Sequence, residues 1–175
     1  RTLTQLVAAE GQDPDILSIL TAEGADLEGP TSRGHNLLLL AIEQNPVDAI
    51  AFRLIELGAD LHTQSEVRSA PLEAAIATRR IPIVHAITDT LEAAQLLPTQ
   101  VAEARVWLWH REIEQRVRQD PDYLLELAAS FGTQDLIVAL EASGTVNHRD
   151  GTGRTPLMEA ARNNSNDVVQ LLLEY

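Results

Sequence analysis

The segment Asp150 to Leu173, DGTGRTPLMEAARNNSNDVVQLLL, constrains this chain more than any other stretch, because a turn-forming run opens there directly onto two short amphipathic segments. Gly151 and Gly153 tolerate positive φ and Asp150 caps its own backbone, so the chain bends at this point. Thr155 is suited to accept a hydrogen bond from a free N–H of a helix's first turn, and Pro156 at the first helical position leaves no N–H orphaned. Leu157, Ala160 and Ala161 fall at i, i+3 and i+4, a narrow face of small side chains that another helix can approach closely. The run Asn163, Asn164, Ser165, Asn166 breaks that helix, and Val168, Val169, Leu171, Leu172 and Leu173 supply the fuller apolar surface of a second. A unit of this size does not bury its own apolar face, so it needs neighbours of the same kind.

The pattern recurs. With Thr155 as the phase marker, earlier units begin near Leu3, Asn36, Ala70 and Tyr123, at intervals of 33, 34, 53 and 32 residues. One interval is therefore too long by about 20 residues. The cleanest copy resembles the ankyrin repeat, whose signature is a turn, T-P-L-H-x-A and two antiparallel helices with a period of about 33 residues; Met158 stands at the His position. Gly24-Ala25-Asp26-Leu27 and Gly58-Ala59-Asp60-Leu61 match the turn that closes such a repeat. The resemblance implies a single all-α ankyrin-repeat solenoid domain with units near residues 3–33, 34–66, 67–90, 121–150 and 151–175, and a helical insertion at about 91–120.

Local expectations follow within each unit. Leu3 to Leu20 reads as a helix pair broken at Gly11 to Pro14, an atypical terminal repeat of the sort a solenoid needs where its outer face meets water. Asn36 keeps the capping role while Leu37 replaces Pro, whereas Ala70 makes a poorer cap. The surplus stretch predicts an amphipathic helix over 99–119, with Ala102, Val106, Trp109, Ile113 and Val117 on its apolar stripe. Trp107 lies about 200° from Trp109 at 100° per residue, so one indole meets something outside the main stripe. The fourth unit closes on Gly144-Thr145-Val146-Asn147.

The formal net charge of −13 argues against nucleic acid or an anionic membrane as partner, since both would repel the surface. No apolar run approaches a membrane span, and no charged leader followed by an apolar core opens the chain. The chain opens on Arg1 with no initiating Met and ends after the second helix of a repeat, which suggests a fragment of a longer protein. All 13 basic residues are arginine and lysine is absent. Either a compositional bias toward arginine codons or work in a compartment where lysines are modified, such as a host cell entered by a bacterial effector, accounts for this. The expected location is accordingly the cytoplasm or, for a secreted effector, the host cell.

No catalytic constellation emerges. His35, His62, His85, His110 and His148 lack metal-ligand spacing, there is no cysteine, the serines lack a nucleophile-elbow context, and Gly151-Thr152-Gly153 is followed by no lysine. The chain is expected to be non-enzymatic, with no cofactor, no metal and no small-molecule substrate. The resemblance implies a protein-binding module whose partner docks on the concave side, made of turn tips and the exposed flank of each first helix. Family phase assigns Arg33, His35, Arg68, Arg79, Arg149, Arg154 and Arg162 to or beside that surface, with Phe131 as an apolar anchor. Arginines gathered on one face of an acidic protein point to a partner with an acidic surface. Trp107 on the inserted helix is a further candidate contact. A monomer is expected. Two other functions stay open: the substrate-recruiting domain of a larger effector enzyme, motivated by the lysine deficit, and an immunity protein that neutralises a toxin, compatible with the acidity.

Overall fold

A computed structural model of the chain describes residues 2–27, 36–61, 70–130 and 132–175. Eleven helices and no strand occur among the described residues. They fall into two compact units, Arg1–Arg105 and Val106–Tyr175.

In the first unit the helices come in antiparallel-type pairs, α1 (Leu3–Glu10) with α2 (Asp15–Ala22), α3 (Leu37–Gln44) with α4 (Asp48–Glu56) and α5 (Pro71–Ala77) with α6 (Ile81–Ala93). First helices stack on first helices, α1 on α3 on α5, and second helices on second helices, α2 on α4 on α6. The helix starts follow from the expected chemistry. The Asn36 side chain accepts from Leu39 N at 2.8 Å, while Ala70 makes no side-chain cap and relies on Pro71. Thr2, one residue before the expected start, is the first cap and forms a capping box with Gln5. The caps of the first three units, Thr2, Asn36 and Ala70, are thus evenly spaced by 34 residues. Gly24 and Gly58 end the second helices with φ of +87° and +83°, a conformation in which any Cβ would be strained.

After α6 runs α7 (Pro98–Gln119), the inserted helix. It spans the division between Arg105 and Val106. Its apolar stripe is not the expected one. Val101, Ala104 and Leu108 are buried in its first half and Ile113 and Val117 in its second, whereas Ala102 and Val106 are exposed and Trp109 is half-buried. A step of five residues from Leu108 to Ile113 turns the buried face by about 140° beyond a full helical turn, so no single 3.6-residue stripe describes this helix. Before it, Gln95 and Leu97 both adopt positive φ and re-aim the chain where the Gly-Ala-Asp closure is missing.

The second unit holds α8 (Tyr123–Ala129), α9 (Thr133–Ser143), α10 (Pro156–Arg162) and α11 (Asn166–Glu174). Its core joins Ile113 and Val117 of α7 to Leu124, Ala128, Leu136, Leu140, Ala160, Val168 and Leu172. First helices again stack, α8 on α10, and α9 meets α11. The Thr155 hydroxyl caps α10 by accepting from Met158 N, with Pro156 at the first position, and Gly144 ends α9 at φ +64°. Ala161, expected on the buried face of α10, is exposed, while Glu159 is buried in its place.

Candidate protein-interaction surface

The turn that precedes α10 is organised by one carboxylate. Asp150 Oδ1 accepts from Thr152 N at 2.9 Å, Thr152 Oγ1 at 2.7 Å and Arg154 N at 2.9 Å. The Thr152 hydroxyl and the Arg154 N–H, followed by the Thr152 N–H and the charge of Arg154, hold the Asp150 carboxyl well below the ordinary carboxylate value, at about 2. Arg154 is fixed in turn: its Nε donates to Thr152 Oγ1 at 2.9 Å and its Nη1 to Glu159 Oε1 at 2.6 Å. Arg162 Nε approaches the other Glu159 oxygen at 3.5 Å. Glu159 thus satisfies its burial between two guanidinium groups, which is the arrangement a carboxylate in a helix interior requires. Arg149 Nη1 donates to Gly153 O at 2.9 Å, and His148 Nε2 meets Asp122 Oδ1 at 2.6 Å at the start of α8.

Between this turn and the exposed flanks of α8 and α10 lies an open depression of about 280 Å³, lined by Asp122, Leu125, Glu126, Ala129, Asp150, Arg154 and Glu159. Four carboxylates line it against one guanidinium, and that guanidinium already faces Asp150 and Glu159. Around its edge Arg116 faces Glu126 at 3.6 Å, His148 meets Asp122 at 2.6 Å and Arg162 approaches Glu159 at 3.5 Å.

In the first unit an open cleft of about 720 Å³ runs between the ends of α3 and α5 and includes Glu43, Gln44, Thr78, Arg79 and Arg80. Arg79 is exposed and adopts φ +56°, a position that favours Gly or Asn. Its neighbour Arg80 has a different use. The guanidinium pairs with Asp48 and donates from Nη1 to the carbonyls of Ala41, Ile42 and Asn45 at 3.1, 3.0 and 2.8 Å, closing the free C-terminus of α3. One repeat earlier Asn45 Nδ2 serves α1 in the same way, donating to Ala8 O at 3.2 Å and Gly11 O at 2.8 Å.

Of the expected contact residues, Arg149, Arg154 and Arg162 gather around the α10 turn, and Arg79 stands in the first unit. Trp107 is half-buried on α7 with the Arg111 guanidinium 5.6 Å from its ring centroid, while Trp109 packs against the core of the second unit. Arg33, His35, Arg68 and Phe131 lie outside the described residues. The sequence reading did not single out Asp122, Glu126 or Glu159, which line this depression together with Asp150. The signal for Glu159 was present in the arginines five residues before it and three after it.

Helix pairs stacked first on first and second on second, with the Asp150 turn lining an open surface beside α8 and α10, define a helix–turn–helix repeat protein. Residues 102–175 match the family model of ankyrin repeats (3 copies). That segment matches ankyrin repeats, and the all-helical, pairwise-stacked architecture of the described residues fits an all-α ankyrin solenoid. No curated protein matches it. Ankyrin repeats are generally protein–protein interaction modules and typically non-catalytic.

Proposed function

We propose that this chain binds a partner protein through the turn and first-helix surface of its second unit, in the depression between α8, α10 and the Asp150 turn. The observation that supports this is a preformed recess whose floor is apolar, Leu125 and Ala129, and whose rim is held rigid by the Asp150, Arg154 and Glu159 bonds. A rim fixed before association loses little side-chain freedom on binding. On that rim Asp122 and Glu126 are held only in solvent-exposed pairs, with His148 at 2.6 Å and Arg116 at 3.6 Å, which contribute little and leave both carboxylates open to competition, so the partner group we assign there is cationic. An acidic partner, expected from arginines gathered on one face, would meet those two carboxylates, while Arg154 is already paired with Asp150 and Glu159.

The test is affinity capture from lysates with the wild-type chain beside an Asp122→Arg, Glu126→Arg variant, with bound proteins identified by mass spectrometry and association rates measured at two salt concentrations. Both positions are exposed but stand at the N-terminus of α8, so the variant is used only where its helical circular dichroism equals that of the wild type. A protein retained by the wild type, lost by the variant, and bound more slowly at high salt is the expected result. Retention of the same proteins by both forms would overturn the assignment of this depression.

A further inference from the structure

The end of α6 departs from a rule that the two preceding repeats keep. Gly24 N donates to Thr21 O at 3.0 Å and Ala25 N to Leu20 O at 2.9 Å, and Gly58 N and Ala59 N repeat the pair on Ile55 O and Leu54 O, both at 3.0 Å. After α6 the backbone closes in the same way, with Gln95 N on Glu92 O at 3.0 Å and Leu96 N on Leu91 O at 2.9 Å. The side chains differ. Gln95 holds φ +56° where glycine stands in both earlier repeats, and Leu97 holds φ +49°, a left-handed conformation that costs a bulky residue more than it costs glycine. Leu96 takes the place of Ala59, and it is 42% exposed where Ala59 is 6% exposed. A strained link that sets a large apolar side chain in solvent weakens the fold, and departures of this kind concentrate where a surface is used.

Leu96 forms one wall of a groove of about 440 Å³, together with Pro98, Val101 and Ala102 of α7. That volume lies within the range of about 300–1,000 Å³ typical of ligand pockets. The polar edge of the groove is fixed. Arg105 Nη2 donates to Asp89 Oδ1 at 2.7 Å and to Glu92 Oε2 at 2.5 Å, which ties the start of α7 to α6. One guanidinium thus serves two carboxylates, both largely exposed, and exposed Glu103 adds a further negative charge on the same turns of α7. All of these residues belong to the first unit.

We propose that this groove receives one large apolar side chain of a partner protein, set beside a lysine or arginine of the same segment. The apolar walls suit the first, and the excess of carboxylates over Arg105 selects the second by charge complementarity. A free small molecule fits less well, because a pocket for one encloses most of its guest, whereas a wall as exposed as Leu96 leaves the groove open. The surface shares no residue with the depression at the Asp150 turn, so it does not depend on the binding assigned there.

Amide NMR of the isotope-labelled 175-residue chain, titrated with the blocked peptides acetyl-Lys-Leu-Arg-amide, acetyl-Gly-Leu-Gly-amide and acetyl-Glu-Leu-Glu-amide, tests this. The basic peptide should give saturable shifts centred on residues 92–105, with an affinity at least about threefold above that of the neutral peptide and higher again above that of the acidic one. A Gln95→Gly, Leu96→Ala variant restores the Gly-Ala of the earlier repeats; it should lose those shifts while its urea midpoint stays at or above that of the wild type. Ala102→Met, which fills the groove from an exposed position on α7, should lose them as well. Absence of saturable shifts at these residues overturns the proposal, as does binding that survives in both variants. Equal affinity for the neutral peptide overturns it too and would make the groove a site for small apolar molecules. A lower midpoint in the first variant would make Leu96 a core residue and remove the ground for a docking surface.

Discussion

Arg80 and Asn45 show how single side chains join one repeat to the next. Each sits at the break between the two helices of its repeat and reaches back to the free carbonyls at the C-terminal end of the preceding first helix. Arg80 serves three carbonyls and Asp48 at once, which a flat five-donor fork can do and a point charge cannot. Its replacement by Ala leaves those acceptors and a carboxylate without their partner, and the expected loss is about 2–3 kcal/mol, read as a lower urea midpoint at an unchanged slope. Arg80→Lys should recover less than half of it; full recovery would mean that charge alone, and not the fork, holds α3. Caps such as Asn36 and Thr155 were legible in the sequence because capping is a local act between residues three apart. Arg80 was not, since its partners lie 32 to 39 residues away and an isolated arginine in a turn reads as a surface charge.

At the scale of elements, the boundaries of the paired helices were legible within one or two residues and the face of α7 was not. Pairs are bounded by local turn chemistry, whereas the buried face of a helix depends on what packs against it. α7 changes faces midway, so Ala102 and Val106 satisfied the period in the sequence and are nonetheless exposed. Ile113→Ala should therefore cost roughly 2–4 kcal/mol, because it opens a cavity in a core shared with Leu124, Leu136 and Leu140. Val106→Ala should stay within about 0.5 kcal/mol of wild type. Thermal or urea unfolding of the two variants decides it, and equal losses would restore the single stripe read from periodicity. The candidate site was legible only in outline: the Asp150 turn and its arginines were evident, but which charges cancel depends on Glu159 being buried between them.

At the scale of the molecule, the core of the second unit is built wholly from residues at or beyond Val106, and the first unit stacks its three pairs separately. Stability in a repeat array is close to a sum of unit terms and nearest-neighbour interfaces, so a cavity lowers protection chiefly where it is made. Leu38 is fully buried in α3 and Leu124 in α8, which makes them matched probes of the two units. Leu38→Ala should accelerate amide hydrogen exchange in α1–α6 and leave α8–α11 near wild type, and Leu124→Ala should do the reverse. The two substitutions remove the same atoms from equally buried sites, so any asymmetry reports on how far each opening propagates and not on its size. Exchange rising equally in all helices for either variant would mean that the chain opens as one cooperative body, with the continuous backbone of α7 carrying the coupling across the division at Arg105.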